Sequence, residues 1–129
     1  MDFQLFRVTL HAKIVMQYEE VRKFLNTLSE KIKIFGIVFR DDRNKNTQCL
    51  LDLEIRAQQR EDIIKELSAE DYVQGPIADK INNYGEMWVF GKDVKGKEVY
   101  IKISLCTENY PAVCISFHIA EHKLIYQFK

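Results

Sequence analysis

Two stretches decide the fold: Glu98-Val99-Tyr100-Ile101-Lys102-Ile103-Ser104-Leu105 and Ala112-Val113-Cys114-Ile115-Ser116-Phe117-His118. Both alternate apolar and polar residues with a period of two, the pattern of half-buried strands. In the first, Val99, Ile101, Ile103 and Leu105 face one way and Glu98, Tyr100, Lys102 and Ser104 the other. In the second, the same alternation gives Val113, Ile115 and Phe117 to the apolar face and Cys114, Ser116 and His118 to the opposite one. The segment between them, closed by Pro111, suits an antiparallel hairpin with an extended loop. One side of the hairpin then covers a core. The other presents Tyr100, Lys102, Ser116 and His118 on one platform.

A chain of 129 residues fits a single domain over 1–129. Its 47% hydrophobic and 29% charged residues are ordinary for a soluble globular protein, and its formal net charge is zero. A strong overall basic field of the kind that announces nucleic acid is therefore absent, which leaves room only for a local patch. The three cysteines, Cys49, Cys106 and Cys114, are odd in number and lack C-x-x-C spacing. That argues against a disulfide framework or a cysteine zinc site and points to a reduced, cytoplasmic protein. Asp2, Arg7, His11 and Lys13 interrupt any secretory signal, and nothing reaches the length of a membrane span. Phe3, Leu5 and Val8 to Leu10 suggest a short extra strand, with residues 1–16 an extension before a second possible start at Met16.

Working outward, Val21, Phe24, Leu25, Leu28 and Ile32 fall at helical spacing from Tyr18 to about Lys31. Ile34–Phe39 is β-branched and short and reads as a buried strand. Arg40–Asn46 is a charged turn, after which Asn46 or Thr47 caps a short helix through Leu53. A further helix fits Ala57–Leu67. Ser68-Ala69-Glu70-Asp71 opens a turn in the manner of a capping box, and Gly75-Pro76 breaks the chain. Ala78–Gly85 is polar loop, Met87–Lys92 a strand carrying Trp88 and Phe90, and Asp93–Gly96 a hairpin turn. Leu124–Phe128 has enough apolar weight to dock as a last strand or packed extension. The expected architecture is α+β, with N-terminal helices packed on a three- to four-stranded antiparallel sheet.

Three chemistries compete for this pattern. His118-Ile119-Ala120-Glu121-His122 satisfies the H-x-x-E-H string of one zinc hydrolase class. The string starts at a strand end, however, and no Asp or Glu follows it as a further ligand; we expect no metal and no cofactor. Tyr100, Lys102 and His118 suit metal-free RNA cleavage. That reaction needs a base for the ribose 2′-hydroxyl, a cation for the charge building on phosphoryl oxygens, and an acid for the leaving oxygen. Tyrosine and lysine also alternate on many inert sheet faces, so a non-catalytic binding module is the competing interpretation. Arg40, Arg43, Lys45, Lys92, Lys95 and Lys97 are candidate phosphate contacts on charged turns. Trp88 and Phe90 either stack bases or belong to the core.

Asp71-Tyr72, Met87-Trp88, Glu98–Ile103 and Cys114–His118 together resemble the MqsR-type toxins, relatives in fold of the RelE group of bacterial mRNA interferases. The likeness covers about residues 45–120, and Val99-Tyr100-Ile101-Lys102 and Ile115-Ser116-Phe117 are its most specific parts. It implies a RelE-like toxin domain that cuts single-stranded messenger RNA without metal and is neutralised by a cognate antitoxin. By position, Tyr100 matches an active-site tyrosine of the family. His118 and Gln74 each stand where the family carries a lysine. The expected catalytic group is thus His118, Tyr100 and Lys102, with Arg43, Lys45, Gln74, Lys92 and Ser116 on the RNA.

Overall fold

Val21, Phe24, Leu28 and Ile32 recur every three or four residues, and each is at least nine-tenths buried. They form the inner stripe of helix α1, Phe3–Phe35, in the computed structural model, which describes residues 3–129 apart from the side chains of Phe3, Phe6 and Val8. The expected extra strand around Leu5 and Leu10 is instead the first turns of this helix. Residues 6–14 do alternate apolar and polar, but a strand needs a neighbour to pair with, and neither edge of the sheet takes one from this segment, so it runs on as turns of the same helix. Gly36, at φ +74°, ends the helix by donating its N–H to Ile32 O at 2.8 Å. The buried strand expected over Ile34–Phe39 shrinks to β1, Ile37–Phe39, an edge strand whose Val38 is exposed.

Helices α2 (Asn44–Leu53) and α3 (Gln59–Lys65) follow. The capping box at Ser68 forms as expected: Asp71 accepts from the Ser68 N–H at 2.9 Å. Strands β2 (Tyr72–Ala78), β3 (Glu86–Val94), β4 (Lys97–Ser104) and β5 (Ala112–Ile119) complete the chain. The sheet has five strands in the order β1-β5-β4-β3-β2, with β1 parallel to β5 and the other neighbours antiparallel. The α+β class stands; the strand number and the all-antiparallel pairing do not. Gly75-Pro76 lies inside β2 rather than breaking the chain. A proline lacks an N–H for the ladder, and β2 is an edge strand where that donor is not needed.

The core lies between the helices and one sheet face. Phe24 stacks on Trp88 (centroids 4.8 Å apart) and on Phe90 (5.7 Å), and Ile101, Ile103, Cys114 and Phe117 share the same cluster. Trp88 and Phe90 are therefore core residues and offer no stacking platform. Lys31 ties α1 to the β4–β5 loop by donating to Leu105 O and Thr107 O. On the opposite sheet face, loop 79–85 reaches Ser104 through Tyr84 O, and the tail passes over Gly91 as far as Tyr126 before its end crosses the β2 edge to the core side. The tail docks as a packed extension, not a strand. Gln127 N donates to Tyr72 O at 3.2 Å, and Phe128 stacks on Tyr72 at 5.6 Å.

Candidate active site

Residues directly opposite in an antiparallel pair share a sheet face. Tyr100 lies opposite His118 and Lys102 opposite Ser116, so these four side chains leave the same surface of β4 and β5. The rings of Tyr100 and His118 stack with centroids 5.2 Å apart and planes 16° from parallel. The platform expected from the alternation is present. Its second strand, however, carries an irregularity that a strict period of two misses. Lys102 pairs with Ser116 while the next residue, Ile103, pairs with Cys114, so Ile115 is an extra residue in a bulge. The bulge turns Cys114 onto the core face, fully buried, where burial pushes its thiol pKa well above the ordinary value. The expected place of Cys114 on the platform is thus overturned.

A second element closes the site from the side. Beyond Cys114 the edge of β5 has no strand partner, because β1 pairs only with Ala112–Cys114. The start of α2 fills that edge. Asn46, 1% exposed, accepts from Phe117 N–H at 3.0 Å and donates to Ile115 O at 3.0 Å and Arg40 O at 2.9 Å. Asn46 is not the helix cap that its type suggested. It is a buried clamp that stands in for a neighbouring strand, and period and capping rules give no signal for that role. Arg43 is the residue before the helix, and its guanidinium donates to Ile115 O (3.1 Å) and Ser116 Oγ (3.2 Å). That geometry draws a cation to the platform. Arg60, 2% exposed, braces the same turn through two bonds to Asp41, at 2.7 and 3.0 Å, while its guanidinium lies 4.0 Å from the Phe39 ring centroid.

Together these elements surround a cavity of about 320 Å³, at the small end of ligand-sized clefts. Arg43, Lys45, Tyr100, Lys102, Ser116, His118, Glu121, His122 and Leu124 line it. Three cations face one carboxylate there, and that carboxylate, Glu121, is engaged by Lys45. A chain of zero net charge has thus gathered a local positive field. Burial lowers the Lys102 pKa, the Arg43 charge lowers it further, and Asp79 opposes them. Burial raises the Tyr100 pKa, and Arg43 pulls it back. His118 Nδ1 lies 3.0 Å from Ile119 O. A carbonyl only accepts, so Nδ1 carries the hydrogen and Nε2 is left as the basic nitrogen.

Of the expected RNA contacts, Arg43, Lys45 and Ser116 line the cavity. Gln74 lies opposite Val89, itself opposite Lys102, so it shares the platform face but sits two strands away and outside the cavity. Lys92 is on the wrong face. It lies opposite the core residue Val99 and reaches Asp71 at 3.3 Å. Lys95 donates to Glu54 O and Arg40 is held by Asp42, so neither reaches the site. The H-x-x-E-H string spans a strand end and a bend, so its two imidazoles do not stand on one helical turn. Among the described residues, no group of three or more His, Cys, Asp or Glu side chains is placed to hold a metal ion. No helix among them is long and apolar enough to cross a membrane. Comparison of the chain with protein-family descriptions, with curated proteins and with solved structures found no match.

Proposed function

We propose that this protein is a RelE-like endoribonuclease that cuts single-stranded RNA without a metal, by attack of a ribose 2′-hydroxyl on the adjacent phosphate. The observation that carries the reading is the meeting of His118, Tyr100, Lys102 and Arg43 around one basic cavity. His118 Nε2 takes the 2′-hydroxyl proton as O2′ attacks phosphorus. Lys102 and Arg43 stabilise the charge that develops on the non-bridging oxygens. The Tyr100 phenol, kept protonated by its raised pKa, donates to the phosphate and holds the imidazole plane by stacking. Lys45 and Ser116 contact the flanking backbone.

The likeness of the Val99–Lys102 and Ile115–Phe117 segments to MqsR-type toxins extends this reading to a cytoplasmic toxin held in check by a cognate antitoxin. The competing reading, a non-catalytic binding module, draws on the neutral net charge, which the local field at the cavity offsets, and on Gln74 standing where the family carries a lysine. The test is incubation of the purified protein with single-stranded RNA in EDTA. Wild type cleaves, His118→Ala loses about 10²–10⁴-fold in rate, and Tyr100→Phe loses a smaller factor. Full activity in both variants overturns the assignment, and no cleavage by wild type from pH 5 to 9 favours the binding module.

A further inference from the structure

His118 accounts for one proton transfer, and cleavage needs two: one from O2′ and one to the departing O5′. A second imidazole borders the same cavity. His122 lines it together with His118, Lys102 and Arg43. Its position follows from how the chain leaves β5. Ala120 N donates to the Glu98 backbone oxygen at 2.9 Å, and Leu124 N donates to Glu98 Oε1, also at 2.9 Å. One residue therefore pins both ends of the segment that carries His122. Tyr126 adds a third tie, its hydroxyl donating to Glu98 Oε2 at 2.8 Å. Gly91 lets the tail seat this closely, since a Cβ there would lie 2.6 Å from Leu124 Cδ1 and closer still to Tyr126 Oη. Glu121, between the two histidines, is held below the usual carboxylate range first by Lys45 and also by the charges of His118 and His122. Both imidazoles are thus within electrostatic reach of one carboxylate.

From this arrangement we propose that His122 is the general acid of the reaction, protonating the leaving 5′-oxygen while His118 acts as the base. The role rests on the ribonuclease reading above. As O2′ bonds to phosphorus, its proton passes to His118 Nε2. The P–O5′ bond breaks, and the electron pair left on O5′ is met by the proton of the His122 imidazolium. The products are a 2′,3′-cyclic phosphate and a 5′-hydroxyl, and exchange with water restores both imidazoles. Imidazole is the side chain suited to either duty near neutral pH.

The deciding experiment uses the full chain and two versions of one single-stranded RNA, with either oxygen or sulfur at the bridging 5′ position of the cleaved linkage. A thiolate leaves without protonation, so loss of the acid slows only the oxygen substrate. His122→Ala is expected to cut the oxygen linkage about 10²–10⁴-fold more slowly than wild type and the sulfur linkage within a few-fold of it, while His118→Ala is slow on both. His122 is exposed, so the substitution leaves the core untouched. Equal losses on both linkages, or none on either, overturn the role of His122 while leaving the ribonuclease reading in place. Wild-type protein that cuts neither linkage overturns that reading and this role with it.

Discussion

Replacing Asn46 by alanine probes the link between the fold and the site. The wild-type amide makes three hydrogen bonds, two of them buried, and their loss is not equivalent. Ile115 O keeps the Arg43 guanidinium at 3.1 Å, and Arg40 O keeps the Arg43 backbone N–H at 3.2 Å. The Phe117 N–H has Asn46 Oδ1 as its partner, and Phe117 is fully buried. One orphaned buried donor costs about 1–3 kcal/mol, and two carbonyls reduced to single partners add roughly 0.5–1 kcal/mol. Asn46→Ala is therefore expected to lower unfolding free energy by about 2–4 kcal/mol, read from the urea midpoint at unchanged slope. Hydrogen exchange at the Phe117 amide is expected to speed up by more than that at Ile101, in the centre of the sheet. Because Ser116 and His118 flank Phe117, the proposed ribonuclease activity is expected to fall too; a displacement near 1 Å suffices for about 10²-fold. A loss under about 0.5 kcal/mol, the size of an ordinary surface change, with Phe117 still protected, would refute the clamp.

Further consequences follow from the same contacts. Gly91→Ala pushes a methyl group against Leu124 and Tyr126; we expect ~1–3 kcal/mol lost to overpacking and faster tryptic cleavage after Lys123, whereas wild-type protease resistance would contradict the tail's seat on β3. Arg60→Lys gives up the two-bond pairing with Asp41 and the contact with Phe39, so a loss of ~1–3 kcal/mol is expected by chemical denaturation, against none if the pairing is idle. Lys102 has its pKa lowered from 10.5, first by burial and then by Arg43. Its charge is consequently lost, as pH rises, earlier than that of a free lysine. Affinity for single-stranded RNA is expected to fall along that alkaline limb, and Lys102→Arg to move the fall to higher pH. An identical pH profile for the two proteins would remove Lys102 from the phosphate contacts.

The parts legible in the sequence are those governed by one local period. Val21 to Ile32 announced a buried helical stripe, and the alternation in Glu98–Ser104 put Tyr100 and Lys102 on one face. The structure departs from the local pattern where a long-range partner overrides it. The Ile115 bulge shifts Cys114 to the core, and a strict alternation has no means of registering an added residue. The face of Lys92 is set by pairing with Val99, and its charged neighbours carry no sign of that. The β2 strand hid behind Gly75-Pro76, whose turn chemistry is tolerated at a sheet edge. Asn46 looked like a cap because caps are the commonest local use of asparagine. Its true partners are some seventy residues away in the chain. The tail carried apolar weight but no periodicity, and its seat depends on Glu98 and on the missing Cβ at Gly91.

Analysis of the ends left on RNA by the purified protein tests the central claim most directly. Attack by the 2′-hydroxyl in the His118 cavity leaves a 2′,3′-cyclic phosphate on one fragment and a 5′-hydroxyl on the other, separable by mass spectrometry. Fragments ending in a 3′-hydroxyl and a 5′-phosphate, or intact RNA after prolonged incubation, would contradict it.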